Sequence, residues 1–581
     1  MTPVRRIRRR ALADGADAAA SWPADIPPLL RRIYAARGAH DADAARPRLA
    51  GLLPPDGLLD LDRATALLAA AIEGGRRILV VGDFDADGAT ACALAVRGLR
   101  MLGAGDVLHA VPNRMVHGYG LSTALVAELA PLRPDLLVTV DHGIACHAGI
   151  EAARALGWQV LVTDHHLPGE RLPAADAIVN PNREGDGFGS KMLAGVGVMF
   201  YVLLALRARL RDEGRLEGKG PELAQLLDLV AVGTVADLVP LDANNRALVA
   251  AGLRRLRAGQ GCAGLKALVE VSGRRAELLS AADIGFAVGP RLNAAGRLED
   301  MALGIECLLC DDPARARELA VQLDTINRER RNVQQAMLDE AERALTTQAL
   351  DAMGQGDGSK AAACAFDPGW HPGVVGLVAS KLKERLHRPV VAFAPSEPGS
   401  ASLRGSARSI PGFHVRDALA AIDARHPGLI ERFGGHAMAA GLTLDAARLD
   451  AFQAAFQAHA AATLDAAALQ ATLDSDGALA PHEFDRFHAE ALRDGGPWGQ
   501  AFPEPLFDGE FEVADWRVVG ERHLRMTLRA EGLRTPLAAI QFGAWRGEPP
   551  PGRARLAYRL QPDDYRGGDA IQLLVEHLEA C

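Results

Sequence analysis

The sequence predicts an α/β protein: a doubly wound parallel-sheet domain, a long connecting helix, a second, smaller α/β domain and a C-terminal β-barrel. Three observations predict it. Short apolar runs alternate with helix-length stretches in the first half of the chain. Residues 311–350 are charged, free of glycine and helix-prone. Beyond residue 500, strand-like runs alternate with turns. At 581 residues the chain exceeds one ordinary core, since domains run to roughly 100–200 residues.

The start, MTPVRRIRRRALADGADAAA, is Arg-rich and lacks the apolar stretch of a secretory signal, so it reads as a solvated basic arm. With the helices after it, it fills 1–60. The runs RILVVG, VLHAVP, DLLVTV and QVLVTD then alternate with helical GATACALAVRGLRML and ACHAGIEAARALG, the pattern of βαβ units. After AIVNPN come longer helical stretches, and this first domain covers 61–310. The segment 311–350 reads as a helix polar on most sides, an interdomain strut, ending in the flexible MGQGDGSK. AAACAF, GVVGLVASKLKERL and PVVAFA open the second α/β domain, 355–455. The tail, 465–581, carries the barrel strands.

With 49% hydrophobic residues and no apolar run near the roughly 20 residues that span a bilayer, the composition is that of a soluble protein with no membrane partner. Seven scattered cysteines argue against a disulfide framework and for a reducing cytoplasm. Cys307 and Cys310 form a CxxC without a second pair, which favours buried helix thiols over zinc. The net charge of −9 does not favour a polyanionic partner, but a basic groove can coexist with acidic surfaces and a carboxylate metal site adds to the acidic count.

Three predicted strand ends carry acid. The first gives GDFDADG, with Asp83, Asp85 and Asp87. The third gives VDHG, with Asp141, and the fourth gives TDHH, with Asp164, His165 and His166. A phosphate-cradling turn would offer glycines and N–H groups, whereas these acids repel phosphate. Ligands of open parallel sheets bind at the carboxyl ends of the strands, so the acids should share one crevice. Clustered carboxylates stay ionised together only with a cation among them. Carboxylates with imidazole suit Mn2+ or Mg2+. Asp237, in VGTVADLVPL, is a further candidate ligand. A lone Asp at a strand end more often caps the next helix, a role that fits Asp106 or Asp135.

At these residues the chain resembles the DHH phosphoesterase superfamily, and closely its single-strand exonuclease branch. DFDADG is similar to the first family motif, PNRMVHGYGLS to the second, VDHG to the third and TDHH to the motif that names the family. VGTVADLVPL and GPRLNAAGRLED resemble later motifs of the nuclease branch. GWHPGVVGLVASKL, GSARS and RFGGHAMAAG resemble the DHH-associated domain, and the tail sits where the nucleases carry an oligonucleotide-binding (OB-type) barrel. Phe84 stands where the first motif often has Tyr.

The resemblance implies two Mn2+ or Mg2+ ions held by Asp85, Asp87, Asp141, His165 and Asp237, with Asp141 shared between them. Asp83 and Asp164 serve as ligands or orient ligands, and His166 faces the scissile phosphate. It also implies a pocket for a terminal phosphate and the strand, drawing on Arg114, Arg291, Asn293, Arg297, Ser406, Arg408 and Gly434, Gly435 and His436. Taken singly, each arginine is an ordinary surface ion-pair former and the GGH a plain turn. Trp498, Phe502, Phe507 and Trp516 are candidate base-stacking residues, although aromatics in a small barrel are more often core.

The implied function is a 5′→3′ exonuclease on single-stranded DNA with a free 5′ end, releasing 5′-mononucleotides in DNA repair and recombination. A groove between the two α/β domains would admit one strand. A single-strand-binding protein and a helicase are the implied partners, and a monomer the implied state. Two alternatives use the same fold: a phosphoesterase of short oligonucleotides or nucleotide phosphates, and a non-catalytic replication scaffold. The tail argues against the first and the full acid set against the second.

Overall fold

The computed structural model describes residues 5–11, 22–114, 116–354, 361–545 and 547–581, the side chains of 342–354 excepted. The described chain divides into two compact units. One joins Arg10–Asn327 to Asp476–Cys581, and the other joins the residues up to Arg9 to Arg328–Ser475.

The chain begins with a strand, β1 (Arg6–Arg9). Part of the expected solvated arm is thus ordered; residues 1–4 and 12–21 lie outside the described residues. In the larger unit, β2 (Ile78–Val81), β3 (Val107–Ala110), β4 (Leu136–Val140), β5 (Gln159–Thr163) and β6 (Ala177–Val179) form an all-parallel sheet in the order β3-β2-β4-β5-β6. β2, β4 and β5 are buried almost throughout, as a sheet covered on both faces requires. The fifth strand is the AIV of AIVNPN, too short to be counted from its pattern. Asp106 and Asp135 do not cap helices. Each precedes a strand and accepts from Arg77: the Asp106 carboxylate from Arg77 Nε at 2.8 Å and the Asp135 carboxylate from the Arg77 backbone N–H at 2.8 Å.

Helices Gly195–Asp212 and Leu227–Ala236 pack on Ala86–Met101, and Leu227–Ala236 is apolar on every side because it is buried almost completely. The predicted strut is one helix, Pro313–Gly354. Up to Asn327 it belongs to the larger unit and buries Ala316, Leu319, Ala320 and Leu323 there.

The smaller unit holds a mixed sheet of β7 (Ala363–Phe366), β8 (Val390–Pro395), β9 (Ser402–Arg408), β10 (Arg432–Gly435) and β11 (Ala439–Asp445), ordered β10-β11-β9-β8-β7. Only β7 and β8 run parallel. β12 (Thr472–Ser475) pairs in parallel with β1, and Arg8 Nε donates to Asp474 at 2.7 Å. Arg8 and Arg10 of the arm therefore have acidic partners within the chain, Asp474 and Asp476.

In the larger unit, β13 (Phe507–Val519), β14 (His523–Arg529), β15 (Leu537–Gln541), β16 (Arg553–Pro562) and β17 (Ile571–Ala580) close a barrel in the order β13-β14-β15-β17-β16. Its helix Arg486–Asp494 packs on β16 and on helix Pro28–Ala35. Tyr34 donates to the Gly495 carbonyl at 2.7 Å, and its ring stacks on Trp22, Trp498 and Phe502. The N-terminal helices thus carry the barrel, and two of the four candidate stacking residues, Trp498 and Phe502, belong to this aromatic core. Phe507 is fully buried as well; Trp516, stacked on Trp545 at 5.5 Å, is half-buried. In urea unfolding followed by circular dichroism, Tyr34→Phe should cost about 1 kcal/mol for the lost hydrogen bond, and Tyr34→Ala about 3–5 kcal/mol for the cavity as well.

Candidate metal centre and active site

Three neighbouring strands bring the acids together. β2 ends at Val81, and Asp85 caps the helix that follows, its Oδ1 accepting from the N–H groups of Asp87 at 2.9 Å and Gly88 at 3.0 Å. The helix-cap reading of this motif therefore holds for one oxygen of Asp85, and the other lies outside the cap. Asp87, in the first turn, accepts from Gly195 N–H at 2.6 Å and Val196 N–H at 3.0 Å, at the positive end of helix Gly195–Asp212. Asp141 follows β4 in the left-handed region, φ 66°, a strained conformation of the kind found at functional sites. Asp237 is the C-cap of helix Leu227–Ala236.

The packing leaves no room for a larger neighbour. A Cβ on Gly195 would stand 2.5 Å from the Asp141 Cβ, and one on Gly233 2.7 Å from Asp87 Oδ1. Both helices approach the acids through a glycine.

The side chains meet in three overlapping sets whose donor atoms lie within 4.8 Å of one another: Asp83, Asp85 and Asp141; Asp87, His165 and Asp237; Asp141, His165 and His166. His165 Nε2 is 3.1 Å from Asp141 Oδ1 and 3.5 Å from Asp237 Oδ2, and neither contact makes a hydrogen bond. Asp83 Oδ1, Asp141 Oδ1 and His165 Nε2 are buried with no hydrogen-bond partner. Buried polar atoms are normally paired, so three orphans at adjacent strand ends, with Asp141 within reach of each of the other two and all of them carboxylate or imidazole, fit a site for divalent cations.

The electrostatics agree. Burial, then the Asp85 charge, raises Asp87 to about 7 and Asp83 well above the carboxylate range. Burial, then Asp87, raises Asp141 and Asp237 in the same way. Burial, then the charge of His166, lowers His165 to about 4. His165 is thus neutral with an unpaired lone pair, as a metal ligand must be.

Asp164 differs. Its Oδ1 accepts from His165 N–H at 2.7 Å, His166 N–H at 3.0 Å and His166 Nδ1 at 2.8 Å, and its Oδ2 from Ile144 N–H at 2.9 Å. Burial opposes ionisation, but His166 and these donors outweigh it and hold Asp164 at about 2. It belongs to none of the three donor sets. Reciprocally, burial would lower His166, but Asp164 raises it to about 9. His166 is an imidazolium at neutral pH, with Nε2 3.4 Å from the Tyr119 hydroxyl.

Arg114 lies over the Phe84 ring at 4.9 Å, and Tyr119 meets the same ring edge-on. Asn293 accepts from Ala86 N–H at 2.8 Å, so its carbonyl braces the first motif. Arg291 is buried and turned inward, in an ion pair with Asp324 at 2.8 Å and donating to the Ala287 carbonyl at 2.6 Å. Arg297 is half-buried in the last turn of helix Gly289–Leu298.

The remaining candidates lie in the smaller unit. There Arg408 reaches Ser406 Oγ at 3.0 Å and Ser380 Oγ at 3.1 Å, beside Gly376. Gly434 and Gly435 end β10, Gly435 at φ 143°, and His436 N–H donates to the Ala439 carbonyl.

Comparison with known proteins bears on this arrangement. Residues 77–234 match the N-terminal domain of the DHH family, 358–462 the DHHA1 domain and 475–577 the RecJ OB domain. The chain is 48% identical over 579 residues to the single-stranded-DNA-specific exonuclease RecJ of Escherichia coli, covering 99% of both. It belongs to the RecJ family. RecJ of Thermus thermophilus is 36% identical over 94% of this chain and 76% of its own length. The crystal structure of RecJ in complex with Mn2+ from that organism superposes with a TM-score of 0.78 at 33% identity, over 96% of this chain and 76% of the other.

Sequence reasoning within this RecJ-family chain missed Tyr119, Asn180 and Asn182. The two asparagines donate to the His166 and His165 carbonyls at 2.8 and 2.6 Å and fix the DHH turn. Their signal was the polar NPN after β6. Asp164→Asn should bring His166 down from about 9 toward the ordinary 6.5, because burial then acts without its main opposing charge. Histidine NMR titration of the metal-free protein measures it.

Proposed function

We propose that the protein is a metal-dependent 5′→3′ exonuclease of single-stranded DNA that releases 5′-mononucleotides, acting in DNA repair and recombination. The observation that carries the reading is the presence of three buried, unpartnered donor atoms at adjacent strand ends of a RecJ-family chain, Asp141 within reach of both Asp83 and His165. Asp85, Asp87, Asp141, His165 and Asp237 are assigned to hold two ions, Mn2+ or Mg2+, with Asp141 shared and Asp83 beside them. Ions in such a site supply Lewis acidity and a water nucleophile at neutral pH. Asp164 orients His166, whose protonated Nε2 faces the phosphate and offers it a charged hydrogen bond. Arg114, Arg297, Ser406, Arg408, Gly434, Gly435 and His436 are assigned to phosphate and strand binding, and Arg291 and Asn293 to holding the helix behind the site.

Single-stranded DNA with a free 5′ end is the partner in this reading. A single-strand-binding protein and a helicase supply it, and the enzyme acts as a cytoplasmic monomer. Among the described residues no helix is long and apolar enough to cross a membrane.

The test uses Mn2+ and a 5′-phosphorylated strand labelled at its 3′ end, run beside its blunt duplex, a 5′-blocked copy and the Asp141→Ala variant. Progressive shortening of the free single strand alone, with the variant reduced at least about 1000-fold, supports the reading. Intact strands with hydrolysis of short oligonucleotides or nucleotide phosphates would shift the substrate to the smaller class.

A second outcome follows from charge. Asp87, raised from 3.8 to about 7, binds a proton on folding, so its stabilisation of the metal-free protein is complete below about pH 4 and lost as pH rises through 7. A bound cation favours the ionised form instead. The rise in Tm on adding Mn2+ should therefore be larger at pH 8 than at pH 6; an equal or smaller rise contradicts the carboxylate site.

A further inference from the structure

Two departures from regular structure meet at one helix junction beside the acid cluster. The chain immediately after Asp237 places Leu238 in the left-handed region, φ 62°, with its side chain 71% exposed. Leucine has no local hydrogen bond to offset that conformation, which costs about 1–2 kcal/mol. Facing the same helix end, Ile284–Val288 form a π-helical turn, a rare element that recurs at functional sites. A Cβ on Gly285 would stand 3.6 Å from Val235 and one on Gly289 3.1 Å from Ala236, so this turn packs directly on the residues leading into Asp237. Between those two glycines Phe286 points into solvent, 84% exposed. Its neighbours Ile284, Ala287 and Val288 are buried. The turn thus spends a full phenyl ring on water while its glycines pack on the helix that ends at Asp237.

We propose that Phe286, with Leu238 across the same junction, is the platform on which a nucleobase of the substrate strand rests beside the metal centre. The inference rests on the exonuclease reading and adds a positioning contact to it. The chemistry fits one occupant: a flat, exposed apolar ring on a turn packed against the helix that leads into Asp237 matches the π-face of a base, and stacking of this kind accepts every base. A base inside a duplex has both faces covered by its neighbours and a terminal one is held by pairing and by stacking on one face, so the platform best engages a strand whose terminal bases are free to leave the stack. Selectivity for single strands then comes in part from this contact and not from the width of a passage alone.

The test measures binding and cleavage of two 5′-phosphorylated single strands with Mn2+, one intact and one abasic at the first few nucleotides. The proteins are wild type, Phe286→Ala, Phe286→Trp and Leu238→Ala. Wild type should lose roughly 5- to 100-fold in affinity on the abasic strand, the size of one stack. Phe286→Ala should lose a similar factor on the intact strand and little more on the abasic one, Phe286→Trp should retain the wild-type value, and Leu238→Ala should fall between. The Tm rise with Mn2+ should be unchanged in all, showing a folded protein with its ion site whole. Wild-type behaviour of Phe286→Ala and Leu238→Ala on the intact strand, or abasic and alanine losses that multiply, would overturn the platform. If wild type neither binds nor cuts the intact strand, the exonuclease reading falls instead.

Discussion

Mutual repulsion among buried carboxylates is the constraint on which the rest of the molecule depends. Asp83, Asp87 and Asp141 are buried together within reach of Asp85 and Asp237. Without a cation they keep protons that free carboxyls would release, and burial is the first cause in each case. A fold that tolerates such a cluster must hold the acids rigidly and leave donor atoms unsatisfied for the ion. Both features are present: strand ends, a helix cap and a helix N-terminus fix the carboxylates, while Asp83 Oδ1, Asp141 Oδ1 and His165 Nε2 remain unpaired.

The surroundings follow from that demand. Gly195 and Gly233 bring two helices against Asp141 and Asp87 at distances where any side chain would displace the acid. Asp164 and His166 form a charged pair whose opposite shifts stabilise each other, so that one acid of the cluster serves the imidazolium and the others are left to the candidate metal centre. Division of labour among chemically identical side chains is set here by what each one touches.

Much of this was legible in the sequence. Strand ends are read from apolar runs, and parallel βαβ units place successive ends on one side of a sheet, so DFDADG, VDHG and TDHH had to meet. The barrel and the long helix were legible for the same local reasons. What escaped depends on contacts between distant residues. Pairing of Arg6–Arg9 with Thr472–Ser475 has no local signal, and an Arg-rich stretch looks solvated until its partner strand is known. Arg291 looked like a phosphate ligand, and its partner Asp324 lies a helix away. Trp498 and Phe502 looked like stacking surfaces, but their partner Tyr34 comes from the other end of the chain. Exposure of Phe286 is equally invisible, because its sequence neighbours are apolar and buried.

Ion stoichiometry tests the central claim most directly. Calorimetric titration of the metal-free protein with Mn2+, read beside the electron paramagnetic resonance of the bound ions, should give two ions per chain with a spin-coupled signal, and Asp141→Ala should abolish the coupling and the weaker site. A single uncoupled ion, or binding that Asp141→Ala leaves intact, would contradict a shared two-ion centre at these strand ends.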